Sequence, residues 1–582
     1  MILSRSITCI LPLVVHFTLA ELKCRPEGPV LPQPTAWVNS AIFKAAAANL
    51  TETLDAAVSG SIEAGWPVSN VSFSLAVVSA DQDQPGIPMW EYHHLASANT
   101  KGTKQLIRDS QYLIGSIYKV FTDYVLLKSG VDLDAPVTEF LPSQNDTKLT
   151  MQWRDVSLRM LASYLGGTPA NYGFSEFFFL QEVFLAYGLP PIEDSDYPPC
   201  GVTALNKGCT RQEYLAGMTR SYPQTTPNGR PAYSNMAFVI LGLALEEYTG
   251  KNFTQLLKET ATDPLNMNNT YPSPGDDEIA VIPPGDSSWG ADYKENIPAG
   301  GLVSSLSDLS KFSHTLLSRT LNLTSAEIEG WLKPGAFAGN AHTMTGMPWE
   351  ILRLPNLTLD HPHTVTIYGK SGGAQNYRSQ LSIVDDYGLA IVILTAGPMK
   401  AAPILTDAML STFVAAADLV SREQAGRYER KFTNDEKESG VRIEASLKQD
   451  KDSMVLFSLS RNGTDIVSSL TKLWGFTLGD FLPEVGPKIR VFPSQLREKT
   501  TLDGKTVVKE VWHLWPDLDP GFKTDLPGST IKQLNCVGWT IQDWVHYGGE
   551  PLDRVLVYVG EDGDVRGFEV PFLRSGILLL SA

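Results

Sequence analysis

Ser116 and Lys119 stand three residues apart in Ile114-Gly115-Ser116-Ile117-Tyr118-Lys119-Val120-Phe121-Thr122-Asp123-Tyr124-Val125-Leu126-Leu127. Serine is a weak nucleophile at its own pKa, but a lysine held in a partly dry pocket can lose its proton near neutral pH and take the serine's. Ile117, Val120, Phe121, Tyr124 and Leu127 recur at helical spacing, which predicts an amphipathic helix with a buried apolar face and Ser116 in its first turn. Residues three apart share a helix face, so the amine lies beside the hydroxyl. The start of such a helix adds N–H groups and partial positive charge where an oxyanion can form. The letters alone are cheap, since Ser-x-x-Lys also begins at Ser469 and Ser529.

Two further elements separate Ser116 from those copies. Tyr233-Ser234-Asn235 is the single Tyr-x-Asn of the chain and directly precedes a helical pattern (Phe238, Leu241, Leu245, Tyr248) that closes at Gly250. A strand over residues 364–368 runs into Gly369-Lys370-Ser371-Gly372-Gly373, a cation and a hydroxyl followed by glycine backbone that a substrate can approach closely. Lys128-Ser129-Gly130 repeats the letters at a helix end, where a basic residue and glycine are ordinary capping. Gly369 to Gly373 also fits Gly-x-Ser-x-Gly, but that elbow requires strand, turn and helix. Strands follow here instead, over residues 379–384 and 389–394, so Ser371 is not expected to be the nucleophile.

Ser-x-x-Lys, Tyr-x-Asn and Lys-Ser-Gly in that order, on helix, loop and strand, resemble the signature set of the serine β-lactamase and penicillin-binding-protein superfamily. Asp263-Pro264-Leu265-Asn266-Met267 and Pro298-Ala299-Gly300-Gly301-Leu302-Val303-Ser304-Ser305 resemble supporting stretches of that family. The likeness covers roughly residues 65–432 and is nearest the class C β-lactamase and related esterase branch. It implies an acylated nucleophile at Ser116, with Lys119 sharing its proton. Tyr233 is implied as general acid or base, its phenol kept near ionisation by Lys119 and Lys370. Asn235 and Ser371 would position the substrate, Lys370 would bind a carboxylate or steady the leaving group, and the N–H groups of Ser116 and Gly373 would form an oxyanion hole. The resemblance departs at one turn: Leu158-Arg159 is kept, but where many relatives carry His-Thr-Ser-Gly this chain has Tyr164-Leu165-Gly166-Gly167. A Glu-x-x-Leu-Asn deacylation motif is absent, in keeping with the class C-like branch.

These residues need a scaffold, and 582 residues are too many for one ordinary core, so two domains are expected. The fold class is α/β (α+β): an antiparallel sheet flanked by helices over residues 65–432, and an all-β domain over 433–582 built of short alternating strands. Residues 21–64 form an N-terminal extension, and the charged stretch 431–440 reads as a linker. Residues 1–20 read as a signal peptide: one arginine (Arg5), a mostly apolar run, and a small-residue end at Thr18-Leu19-Ala20. Four cysteines remain after it, an even number that suggests two disulfides among three possible pairings; Cys200 with Cys209, closing a short loop, is the first choice, leaving Cys24 with Cys536. Sequons at Asn49, Asn70, Asn145, Asn252, Asn268, Asn322, Asn356 and Asn462 suit a glycosylated secreted protein.

A net charge of −17 with no basic block excludes nucleic acid as an expected partner, and no membrane span is expected. No cofactor and no metal are implied, because the histidines lack the spacing of a zinc site. The aromatic stretch 166–210, with Phe174, Phe177, Phe178, Phe179 and Tyr187, reads as a packed insertion or as a lid over an apolar pocket. The expected function is a secreted serine hydrolase acting through an acyl-enzyme on a small ester or amide, β-lactamase-like or esterase. The alternatives are an acyltransferase in secondary metabolism and a non-catalytic binding protein on the same fold.

Overall fold

The computed structural model describes residues 24–145, 151–219, 221–434, 440–479, 484–519, 525, 527, 536 and 538–581. The expected signal peptide and the Ser-x-x-Lys copy at Ser529 lie outside the described residues. The chain divides into two units: Gln33–Thr358 with Val365–Gln424, and the segments up to Pro32, Leu359–Thr364 and from Ala425 onward.

The larger unit is built on β1 (Ser72–Ser79), β2 (Trp90–His94), β3 (Gln111–Leu113), β4 (Tyr271–Pro272), β5 (Leu302–Ser305), β6 (Ala336–Phe337), β7 (Thr343–Thr345), β8 (Glu350–Leu354), β9 (Val365–Ala374), β10 (Tyr377–Val384) and β11 (Leu389–Ala396). Eight of them form one sheet in the order β2-β1-β11-β10-β9-β8-β7-β6, and every pairing is antiparallel. Strands β3, β5 and β4 form a second, small sheet. Strands β1 and β11 are buried along their whole length. Alternate residues on a strand point to opposite faces, so each supplies two cores. Phe73, Leu75, Val77, Leu389, Ile391 and Ile393 meet Phe43, Leu50 and Leu54 of the helix Ala41–Val58 and Leu405, Met409 and Phe413 of the helix Ala401–Ala425. Ala76, Val78, Val392 and Leu394 face the other core, which holds the helices Tyr118–Ser129, Asn235–Thr249 and Leu306–Leu317.

Several expectations are corrected here. The stretch read as an extension supplies Trp37 and the helix Ala41–Val58 to the core of the larger unit. The helix from Leu306 is capped by Ser305, whose side chain accepts from Asp308 N. The helix Tyr118–Ser129 is not one-sided: every residue from Tyr118 to Leu126 is buried, because packing surrounds it on all sides. Ala401–Tyr428 has the length and composition of a membrane span, yet its buried residues recur at helical spacing against the sheet, as in a core helix.

In the smaller unit the strands Ile443–Gln449, Lys431–Thr433, Ile577–Leu580, Val565–Glu569, Arg554–Gly560, Lys505–Asp519, Glu484–Leu502 and Met454–Arg461 pair in that order. Met454–Arg461 pairs back onto Ile443–Gln449, closing an antiparallel barrel. Lys431–Thr433, read as linker, is one of its strands, and the helix Ile466–Leu478 was not anticipated. That helix, started by an Asp465 cap, turns Leu470, Trp474 and Leu478 inward, a period of four that short alternating strands nearby obscured. Ser469, the second Ser-x-x-Lys copy, lies on it and bonds Asp465 O at 2.8 Å. Both disulfides are present, Cys24–Cys536 and Cys200–Cys209, with Cα atoms 4.8 and 4.9 Å apart.

The ring of Phe121 is fully buried, 4.6 Å from that of Phe312. Phe121→Ala is expected to cost about 3–5 kcal/mol of stability, read as a lower urea midpoint for loss of the larger unit's structure.

Candidate active site

Ser116 sits in a single turn, Gly115–Ile117, that leads into the helix Tyr118–Ser129. Gly115 holds φ +52°, and a Cβ there would lie 2.5 Å from Gly373 N. A Cβ on Gly372 would lie 1.9 Å from Ile114 O, and Ser379 Oγ on β10 donates to the same carbonyl at 2.7 Å. Two glycines therefore let β9 lie directly against the backbone that carries Ser116, and Ser116 and Gly373 border one opening.

Lys119 Nζ donates to Ser116 Oγ at 3.0 Å, to Asn235 Oδ1 at 2.7 Å and to Ala299 O at 2.5 Å. It is fully buried, and desolvation, helped by the positive charge of Lys370, holds its pKa well below the usual lysine value. One turn along the helix, Asp123 is also fully buried, and its carboxyl oxygens have no hydrogen-bond partner among the described residues. Burial raises the Asp123 pKa well above the ordinary aspartate value, and the charge of Lys119 pulls it back only in part.

Tyr233 reaches the same serine, its hydroxyl donating to Ser116 Oγ at 2.7 Å. Lys119 Nζ stands 5.0 Å and Lys370 Nζ 5.4 Å from the centre of the Tyr233 ring. The expectation that these cations hold the phenol near ionisation is corrected: burial dominates and pushes its pKa up to about 12, Ser116's hydrogen bond lowers it, and Glu350's charge adds to the rise. The reason is that Lys119 is driven toward its neutral form and Lys370 is balanced by Glu350. Tyr233 is thus a protonated donor and Lys119 the group able to accept a proton.

Ser234 caps the helix Asn235–Thr249 through Ala237 N, and its hydroxyl also donates to Pro169 O at 2.6 Å. Asn235 Nδ2 donates to Asn171 Oδ1 at 2.7 Å, which turns its carbonyl oxygen toward Lys119. The divergent turn at Tyr164 supports this motif: the Tyr164 ring stacks on that of Tyr233 at 5.2 Å, and its carbonyl accepts from Ala232 N at 2.9 Å.

Lys370 and Ser371 lie within β9 beside β8. Lys370 Nζ bonds Glu350 Oε1 and donates to Ser371 O at 2.9 Å. Ser371 donates to Glu350 from both N (2.9 Å) and Oγ (3.2 Å). Of the expected residues, Ser116, Lys119, Tyr233 and Asn235 form one bonded group, Gly373 abuts it through the backbone, and Lys370 joins it across the Tyr233 ring. Ser371 is bonded to Glu350 instead. Sequence reasoning missed Glu350, Asp123, Asn171 and Ala299 O. Asp123, four residues after Lys119 on the same helix, left a local signal, and Ala299 lay in the family-like stretch Pro298 to Ser305, whereas Glu350 and Asn171 left none.

A cavity of about 930 Å³ opens from Ser116, Asn235, Gly300 and Gly373. Phe174, Phe177 and Phe179 of the aromatic insertion form part of its wall, beside Cys209 of the Cys200–Cys209 disulfide. The insertion read as a lid or a packed surface therefore borders this cavity, with Phe179 59% exposed.

With this geometry in place, the comparisons with known proteins identify the family. The β-lactamase family model matches residues 77–413, and a model described as a β-lactamase-like C-terminal domain matches residues 420–579. The chain belongs to the β-lactamase family, a family of hydrolases. A β-lactamase-like protein of Arthroderma benhamiae is 41% identical over 98% of this chain and 99% of its own length. A protein of a Phoma species named "Probable hydrolase M10" is 25% identical over 84% of this chain and 81% of its own. Among solved structures, an octameric penicillin-binding protein homologue from Pyrococcus abyssi matches 81% of this chain and 98% of its own at 17% identity, with a TM-score of 0.45.

Two outcomes are expected from this geometry. Reaction of Ser116 with an active-site acylating or phosphonylating reagent should rise with pH as Lys119 loses its proton. It should reach a plateau well below the ordinary lysine value of 10.5, and Lys119→Met should abolish that rise. Gly372→Ala, which forces β9 off the Ser116 turn, should cut labelling by about a hundredfold or more as measured by intact mass over time, with circular dichroism retained.

Proposed function

We propose that this chain is a secreted serine hydrolase that forms an acyl-enzyme on Ser116 from an ester or amide. The observation that carries this reading is that Ser116 Oγ lies within hydrogen-bond distance of both Lys119 Nζ and the Tyr233 hydroxyl, at 3.0 and 2.7 Å. Once neutral, Lys119 keeps two protons for Asn235 Oδ1 and Ala299 O and turns its lone pair to the serine hydroxyl, whose proton it takes as Oγ adds to the substrate carbonyl carbon. The charge gathering on the carbonyl oxygen faces the N–H groups of Ser116 and Gly373, fixed dipoles that need no reorganisation. Collapse of that intermediate breaks the C–O or C–N bond. The Tyr233 phenol gives its proton to the departing group, and the Lys119 ammonium restores it. Water then adds to the acyl-enzyme by the same route, releasing the acid and Ser116.

Tyr233 protonates the leaving group and does not line the cavity, so the acyl part occupies the cavity while the leaving group faces Tyr233 and Lys370. Asn235, held by Asn171, orients the substrate from the cavity side. Secretion is supported by the pattern of residues 1–20, the eight sequons named above and two disulfides.

Intact-mass spectrometry after incubation with a fluorophosphonate tests the nucleophile. Wild type should gain one phosphonyl adduct, Ser116→Ala none, and Ser116→Ala should lose about a thousandfold or more of any ester turnover. Labelling that survives Ser116→Ala, or a folded wild type that never labels, would sink the reading.

A further inference from the structure

Glu350 lies opposite Gly369 in the β8–β9 register, and its side chain runs along the sheet to Lys370 and Ser371. Its Oε1 accepts from Lys370 Nζ and, at 3.2 Å, from Ser371 Oγ; its Oε2 accepts from Ser371 N at 2.9 Å. These are the cation and the hydroxyl that a substrate carboxylate would need on this side of the site. An ammonium has three protons, and Lys370 directs one to Glu350 and one to Ser371 O at 2.9 Å. The pair is also unequal in exposure: the Lys370 side chain is 1% exposed and that of Glu350 36%. An anion arriving from solvent therefore meets the carboxylate before the ammonium.

We infer that Glu350 is a specificity-determining residue that selects against substrates carrying a carboxylate on the leaving-group side, so that the enzyme acts on esters or amides whose leaving groups are uncharged. The inference rests on the acyl-enzyme reading above, because that reading assigns Tyr233 and Lys370 to the leaving group. A tethered carboxylate fills the place a substrate carboxylate would take, and like charges in a partly dry site repel strongly. Lys370 then serves as the anchor of Glu350 and as a positive charge beneath the Tyr233 ring, 5.4 Å from its centre. Penicillins, which bear a ring carboxylate, fall in the disfavoured class, whereas simple aryl and alkyl esters fall in the favoured one.

The test uses three esters of one acyl group with the full-length wild type and Glu350→Gln: the phenyl ester, the 3-carboxyphenyl ester, and the methyl ester of that acid. Wild type should show kcat/KM at least about tenfold higher for the phenyl ester than for the 3-carboxyphenyl ester. The methyl ester, of like shape without the charge, should be turned over about as well as the phenyl ester. Glu350→Gln, which keeps the side-chain shape, should shrink the ratio by about tenfold. The inference is overturned by a wild-type ratio near one or in favour of the acid, by a methyl ester as poor as the acid, or by a ratio unchanged in folded Glu350→Gln. Should Glu350→Gln not fold, the three esters with wild type decide alone. Absence of Ser116-dependent turnover of all three by folded protein overturns the acyl-enzyme reading and this one together, whereas turnover at equal rates overturns this one only.

Discussion

Lys119 reaches Ser116 Oγ, Asn235 Oδ1 and Ala299 O from a helix packed on every side. A charged ammonium in that position loses water, a cost that the charges of Glu350 and Asp123 only partly offset, and Asp123 is itself driven toward its neutral form by burial. The proton balance of the site follows from this one desolvation. A neutral amine beside Ser116 can take its proton, and with less positive charge near its ring Tyr233 keeps its own. On the proposed reading, base and acid fall to different residues through burial together with the charges of Lys370 and Glu350.

The same helix must be met by a strand without a gap. Gly115 and Gly372 remove the side chains that would hold β9 away, and Ser379 bonds the carbonyl of Ile114 from the next strand. Strand β9 is held by β8 on one edge only as far as Gly369, while β10 pairs with it from Tyr368 to Ala374, so at Gly373 one edge is fixed by β10 and the backbone packs on the Ser116 turn. Rigid placement matters here, since an oxyanion donor a fraction of an ångström out of place forfeits much of its effect. Strands β1 and β11, buried on both faces, tie that ladder into two cores at once.

Around this frame the chain varies what the site meets. The aromatic insertion, pinned by Cys200–Cys209, lines one side of the cavity with phenylalanine rings. The Tyr164 turn stacks a second ring on Tyr233, so that side chain is steadied by an aromatic face. On the other side Glu350 neutralises Lys370. An apolar wall and a balanced charge pair favour substrates without ionised groups.

The sequence by itself determined the group that centres on Ser116. Local spacing carries Ser116 and Lys119, because three residues apart on a helix is a contact whatever the rest of the chain does. Tyr233, Asn235, Lys370 and Gly373 were legible through the order of three short motifs, and the helix ends at Gly130 and Gly250 through glycine in the left-handed conformation, φ +75° and +70°. The number of disulfides followed from counting cysteines, and the choice among three pairings from the short loop between Cys200 and Cys209. What only the tertiary structure decided is whatever depends on strand register and burial. Glu350 meets Lys370 because β8 pairs with β9 with Glu350 opposite Gly369, a register that no local pattern around Glu350 encodes. The helix Ile466–Leu478 escaped notice because its apolar period is set among strands of similar composition. The protonation of Tyr233 also lay beyond the sequence, since it is the sum of desolvation, the Ser116 hydrogen bond and the charges of Glu350 and Arg378, and a sum over distances is fixed only when the chain is folded.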